Sequence, residues 1–208
     1  GAVEQGPGAK ERDMERSSWD RIVSAAGAVV AAVLIVLGTM AIYGGDFGRD
    51  NVRDRLVPQH IAFPPADAMT PEERAEVGEF AGAKVDTGVE AEAFARYIGG
   101  HLEGVNEGAT YSETSAAARA EGLDPDVAAE LQAKADTLFK GESLRAMLLN
   151  AYGWWTMATI ALWAGFAMVI AGLILGIFSI LGFWHAGRAQ AKSVERRVRT
   201  PEYVGASS

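Results

Sequence analysis

Two stretches of this sequence contain no Asp, Glu, Lys or Arg: Ile22–Gly45 and Ala151–Gly187. Charged residues make up 22% of the chain, so runs this long are not chance gaps. A helix rises about 1.5 Å per residue, and the first run as a helix reaches roughly 36 Å, enough for the ~30 Å hydrocarbon core of a bilayer. Trp19 precedes it, and Tyr43 and Phe47 stand at its far end, as aromatic side chains do at membrane interfaces. Trp154 and Trp155 mark one end of the second run, Phe183 and Trp184 the other. Trp155 to Phe183 covers about 42 Å as a helix, which fits one tilted span. A hairpin of two shorter spans, each about 17 residues long, would need a turn signal between them, and the run carries none. The first run also reads as an uncleaved signal anchor, physically the same object as a spanning helix.

These runs divide the chain. The expected order is an N-terminal tail (1–21), a first transmembrane helix (22–45), an acidic domain (46–150), a second transmembrane helix (151–187) and a basic tail (188–208). Asp46–Asn150 holds 20 acidic and 10 basic residues, whereas His185–Ser208 holds 5 basic and 2 acidic. Orientation follows the Lys and Arg residues near the spans. Nine on the outer flanks, including Arg188, Lys192, Arg196, Arg197 and Arg199, stand against six on the inner flanks, including Arg49, Arg53 and Arg55. The balance predicts both termini in the cytoplasm, with the acidic domain outside. The net charge of −8 argues against a nucleic-acid partner, which needs a basic surface. With no cysteine, the domain must be held by packing alone.

Small residues fall on one stripe of each span. On the first they are Ser24, Ala28, Ala31 and Gly38; on the second, Ala158, Gly165, Gly172 and Gly176, with Ala161 and Ser179 at the edges. Such stripes let helix backbones approach closely in lipid. The bland expectation is that the two spans pack on each other; the sharper one is docking onto another membrane subunit.

The region between the spans reads as mainly α, with at most a small two-stranded β pair formed by Ile61–Phe63 and Phe80–Val85. Arg49–Leu56 continues the first span until Pro58. Thr70-Pro71-Glu72-Glu73, Thr87-Gly88-Val89-Glu90 and Thr110–Glu113 are capping boxes that start three helices. Asp124-Pro125 starts a fourth, with Val127, Leu131, Ala135 and Leu138 on one face, running on into the second span. The helix behind Thr87 carries Phe94, Ile98, His101 and Val105 on one stripe, a candidate core face or pocket wall.

No catalytic constellation emerges. There is no Gly-rich phosphate loop, no Gly-x-Ser-x-Gly elbow and no His-Glu-x-x-His pair. The three histidines are His60 in a loop, His101 on the apolar stripe and His185 at the membrane boundary. A buried, hydrogen-bonded His101 is the default; a metal set of His60, His101 and Glu103 would need all three to converge. Neither span holds an Asp, Glu, Lys or Arg that would mark an ion route. The reading is of a non-enzyme with no cofactor.

Several segments carry a resemblance: Val52–Ile61, Phe80-Ala-Gly-Ala-Lys-Val85, Ile98-Gly-Gly-His-Leu-Glu103, Gly108-Ala-Thr-Tyr-Ser-Glu113, Leu138-Phe-Lys-Gly-Glu142 and Leu144-Arg-Ala-Met-Leu148. They resemble a family of small actinobacterial two-span membrane proteins that often bear the name aromatic ring-opening dioxygenase. The resemblance implies two spans around an extracytoplasmic helical domain. It does not carry the oxygenase activity with it, because no two-His-one-carboxylate iron set stands out here. The chain departs from the family by an insertion around Asp67–Glu79 and by long charged tails. The function expected is an accessory or scaffold subunit of a larger membrane complex, such as a respiratory or energy-transducing one, with other integral membrane subunits and lipid as partners and self-association as a further option. The alternative is a membrane-anchored sensor or ligand-binding module built on the His101 helix.

Overall fold

The computed structural model describes residues 7–199, with side chains placed at 19, 21–185, 187 and 188. The expectations for most of the two tails therefore lie outside the described side chains. Five α-helices follow in order: α1 (Pro7–Leu56), α2 (Pro71–Val77), α3 (Gly88–Glu103), α4 (Tyr111–Ala117) and α5 (Pro125–Arg199). Short 3₁₀ turns at Val57–Gln59, Ala66–Ala68 and Gly78–Phe80 punctuate the connections. Each apolar run lies inside a much longer helix, of 50 residues for α1 and 75 for α5. No turn breaks α5, so the hairpin alternative is not adopted.

The β pair is a correction. The two segments do meet, but no strand forms among the described residues: Ala62 and Lys84 make an isolated antiparallel bridge. Phe63 N–H donates to Ala83 O and Val85 N–H to Ile61 O, both at 2.9 Å. Pro64 and Pro65 follow Phe63 at once, and a proline has no N–H with which to extend a ladder. On the other side Gly82, at φ +72°, turns the chain between the Gly78–Phe80 turn and the bridge.

The chain divides into two compact units, Gly1–Ile42 with Trp163–Ser208, and Tyr43–Leu162. In the first unit, α1 and α5 lie against each other as an antiparallel pair. Ser24 faces Gly182, Gly27 faces Ser179, Gly172 faces Ala31 and Ile35, and Gly38 faces Gly165 and Val169. A Cβ on Gly165 would stand 2.6 Å from Gly38 O and 2.8 Å from Ile42 N, both backbone atoms that cannot move aside. The buried small residues recur every seventh position: Ser24, Ala31 and Gly38 on α1, and Gly165, Gly172 and Ser179 on α5. A strict seven-residue repeat keeps one seam facing the partner only if the helices wind left-handed around each other. Both helices are long and apolar enough to cross a bilayer, and the protein itself buries only 11% of the most apolar window in each. A core helix of a water-soluble protein would have most of that window covered.

The second unit is built around α3. Gly88, Ala91, Ala93, Ala95 and Leu102 are buried, on more than one side of the helix. Its contacts with α5 are close: the Trp155 side chain occupies the space a Cβ on Gly88 would need, and Leu102 does the same at Gly141 of α5. Arg145 on α5 donates to Ala95 O at 3.2 Å and pairs with Glu142 at 2.8 Å. Against α3 also lies the loop segment bearing Phe63. That ring is 3% exposed and sits among Phe80, Phe94 and Tyr97, with centroids 5.5, 5.1 and 6.3 Å away. Val52 and Leu56 from α1, Leu148 from α5, and Met69, Val77 and Val85 from the connections complete this core. The anticipated apolar face of the α5 start is half right: Ala135 and Leu138 are buried, while Val127 is exposed.

All three capping boxes form. Thr70, Thr87 and Thr110 each pair with the Glu three residues on, at the starts of α2, α3 and α4. A helix start leaves its first backbone N–H groups unpaired, and these side chains satisfy two of them each. At α4 the Thr110 N–H and hydroxyl both donate to Glu113, which holds its carboxyl below the ordinary glutamate range.

Candidate functional site

Of the eight expected helix-packing residues, Ser24, Ala31, Gly38, Ala158, Gly165 and Gly172 are buried. Gly176 is half-buried, 3.8 Å from Ala31 Cβ as measured from an added Cβ. Ala28 is exposed; the close approach is made by its neighbour Gly27. In the second unit Gly45 is missing from the expected set, yet it is buried, and a Cβ there would stand 2.6 Å from Ala158 O and 2.7 Å from Leu162 N. Gly45 continues the seven-residue series of α1, as Ala158 continues that of α5. The period would have picked out Gly45 and Ser179 and passed over Ala28; an angular stripe at 100° per residue drifts off such a seam.

The α3 stripe does not hold together as a single face. Phe94 and Ile98 are half-buried and pack against the core. Val105 is half-buried beyond the helix end. His101 is exposed, which corrects the expectation of a buried ring. Its Nδ1 lies 3.0 Å from Tyr97 O and its Nε2 3.2 Å from the Glu73 carboxylate. Glu73 therefore does two jobs: one oxygen accepts from Thr70 N–H at 2.8 Å and caps α2, while the other reaches α3. Burial pushes the Tyr97 phenol pKa up, and the Glu73 carboxylate adds to that. His60 is exposed and left-handed, at φ 52°, closing the turn after Pro58. Both His101 nitrogens already face acceptors. Among the described residues no three His, Asp or Glu side chains gather to hold a metal.

What sequence reasoning missed is an open groove in the second unit, of about 1590 Å³. Its walls come from the second half of α1 and the middle of α5, and Phe94 and Ile98 of α3 also line it. His101 does not. Phe47, Leu144, Met147, Trp154 and Met157 open onto the groove and are exposed apolar side chains. Arg55 is the one charged residue in the lining. Its Nε donates to Asn51 Oδ1 at 2.9 Å, and no carboxylate pairs with it among the described residues. The other arginines of this stretch are engaged elsewhere: Arg53 pairs with Asp86 at 3.1 Å, and Arg49 stacks 4.5 Å over the Trp155 ring.

Comparison with protein families, with curated proteins and with solved structures found no match to this chain.

Proposed function

We propose that this protein is a non-catalytic accessory or scaffold subunit of a bacterial membrane complex, with α1 and α5 crossing the bilayer and the α3-centred domain carried outside the cytoplasm. The observation that carries the reading is the surface left over once the seam is closed. Small residues face inward, and large ones such as Val33, Leu37, Met40, Trp163, Ile170 and Ile177 face outward, each at least half exposed. A pair of helices has no way to cover such faces by itself; lipid or other apolar helices must do so. The excess of Lys and Arg on the outer flanks supports cytoplasmic termini. The resemblance to actinobacterial two-span proteins supports the same layout. Respiratory or other energy-transducing assemblies are suitable hosts.

The test is extraction of the full chain from its native membrane in mild detergent, followed by native electrophoresis and mass spectrometry of the band. A stoichiometric second membrane protein in an assembly larger than the monomer is expected. A lone monomer from every gentle extraction would reject the proposal.

A second reading, a membrane-anchored ligand-binding module, is favoured by the groove. It is large and apolar, and it reaches two of the residues expected of a pocket wall, Phe94 and Ile98.

A further inference from the structure

We infer that the groove holds one anionic membrane phospholipid, with its phosphate at Arg55 and its acyl chains along Phe47, Trp154 and Met157. The inference rests on the second reading, that the groove is a ligand site, and gives the ligand its chemistry.

Size comes first. Pockets for small molecules run to about 300–1,000 Å³. At about 1590 Å³ this space suits a two-chain amphiphile rather than a compact metabolite. Polarity comes second. α1 and α5 run antiparallel here, as Gly45 meeting Ala158 and Leu162 requires. One end of the groove thus carries Phe47, Trp154 and Met157, and the other carries Asn51, Arg55 and Asn150. Phe47 and Arg55 are eight residues apart on one helix, roughly 12 Å along its axis. That separation matches an amphiphile with its head at one end and its tails at the other. The apolar end also lies where the first uncharged run ends, at Gly45, and within the start of the second, after Ala151, where acyl chains are at hand.

Charge comes third. The segment Asp46–Asn150 has twice as many acidic as basic residues, yet the groove's one charged side chain is an arginine without a carboxylate partner among the described residues. Asn51 fixes its Nε and leaves the two terminal nitrogens of the guanidinium for a ligand. A planar guanidinium donates two parallel hydrogen bonds to a phosphate, a geometry that lysine lacks. Leu144 and Met147 stand on the facing helix at the Arg55 end, so a phosphate there would be flanked by apolar surface that strengthens the pairing.

The experiment uses the full-length chain in nanodiscs of phosphatidylcholine doped with phosphatidylglycerol, released into native mass spectrometry. The wild type should retain one phosphatidylglycerol and discriminate against phosphatidylcholine. Arg55→Ala should weaken that retention about fivefold to tenfold, the scale of one lost cationic contact. Lys140→Ala, an exposed cation outside the groove on α5, should leave it unchanged. Met157→Trp, which fills the apolar end, should expel both lipids. If Met157→Trp expels lipid but the two headgroups are held alike, the inference of anion recognition falls while the groove remains a ligand site. If neither substitution matters, or if the groove is closed by a second copy of the chain, both fall.

Discussion

Phe63→Ala should destabilise the α3-centred unit by about 3–5 kcal/mol, the range for truncating a buried aromatic side chain. The ring is 3% exposed and touches three other aromatic rings. It is also the first residue beyond the Ala62–Lys84 bridge, so its backbone N–H and its side chain serve the same junction. Removing it leaves a cavity between the loop and α3 that neither Pro64 nor α3 can move in to fill. Hydrogen exchange on the detergent-solubilised protein would read this as lost protection across α2, α3 and the bridge segment. Phe80→Ala, at a half-buried ring on the margin of the same cluster, should cost clearly less. Equal effects at the two positions would mean that Phe63 does not organise this core.

Gly165→Leu should separate the antiparallel pair in the first unit. Overpacking a well-filled interior typically costs about 1–3 kcal/mol. Here the cost should sit at or above the top of that range, because a Cβ alone already lies 2.6 Å from Gly38 O and 2.8 Å from Ile42 N. When the neighbour is main chain, no rotamer change relieves the clash and the helices must part along the seam. Gly44→Leu is the control, since nothing stands within 4 Å of its Cβ position. Paired cysteines introduced at Ala31 and Gly176, whose side-chain positions lie 3.8 Å apart, should cross-link readily in the wild-type background and poorly with Gly165→Leu. Undiminished cross-linking would show that close backbone approach is not what holds the pair.

The parts of this molecule that could be read from its sequence are those written in local chemistry. Three Thr-x-x-Glu boxes marked three helix starts because each is completed within four residues, whatever surrounds it. Pro58 ended α1 near where it was expected to, and Asp124-Pro125 opened α5. The uncharged runs identified the apolar helices because an absence of charge needs no partner to be seen. The reading weakened where the meaning of a residue depends on its neighbours. Large apolar residues dominate a hydrophobic stripe, so in the sequence Phe94, Ile98, His101 and Val105 stand out as the α3 face. The helix instead buries Ala91, Ala93, Ala95 and Leu102, since it is packed on more than one side and small side chains let its neighbours close in. Its position on that stripe points His101 inward, but Glu73, 28 residues earlier, meets it at the surface. The groove was invisible for the same reason. Its walls lie about 100 residues apart in sequence, on α1 and α5, and Arg55 looks ordinary until the groove lining around it is seen to hold no carboxylate.

The central claim is that Ile22–Gly45 and Ala151–Gly187 lie in lipid, and the chain's lack of cysteine makes a direct measurement simple. Single cysteines placed one at a time from Trp19 to Phe47 and from Asn150 to Arg188 would be treated, in open native membrane fragments that expose both faces, with a membrane-impermeant thiol reagent. Two protected windows of about 20 residues, each flanked by reactive positions, are predicted. Reactivity that continues through either run, following only the three- to four-residue rhythm of a helix with one wet face, would contradict it.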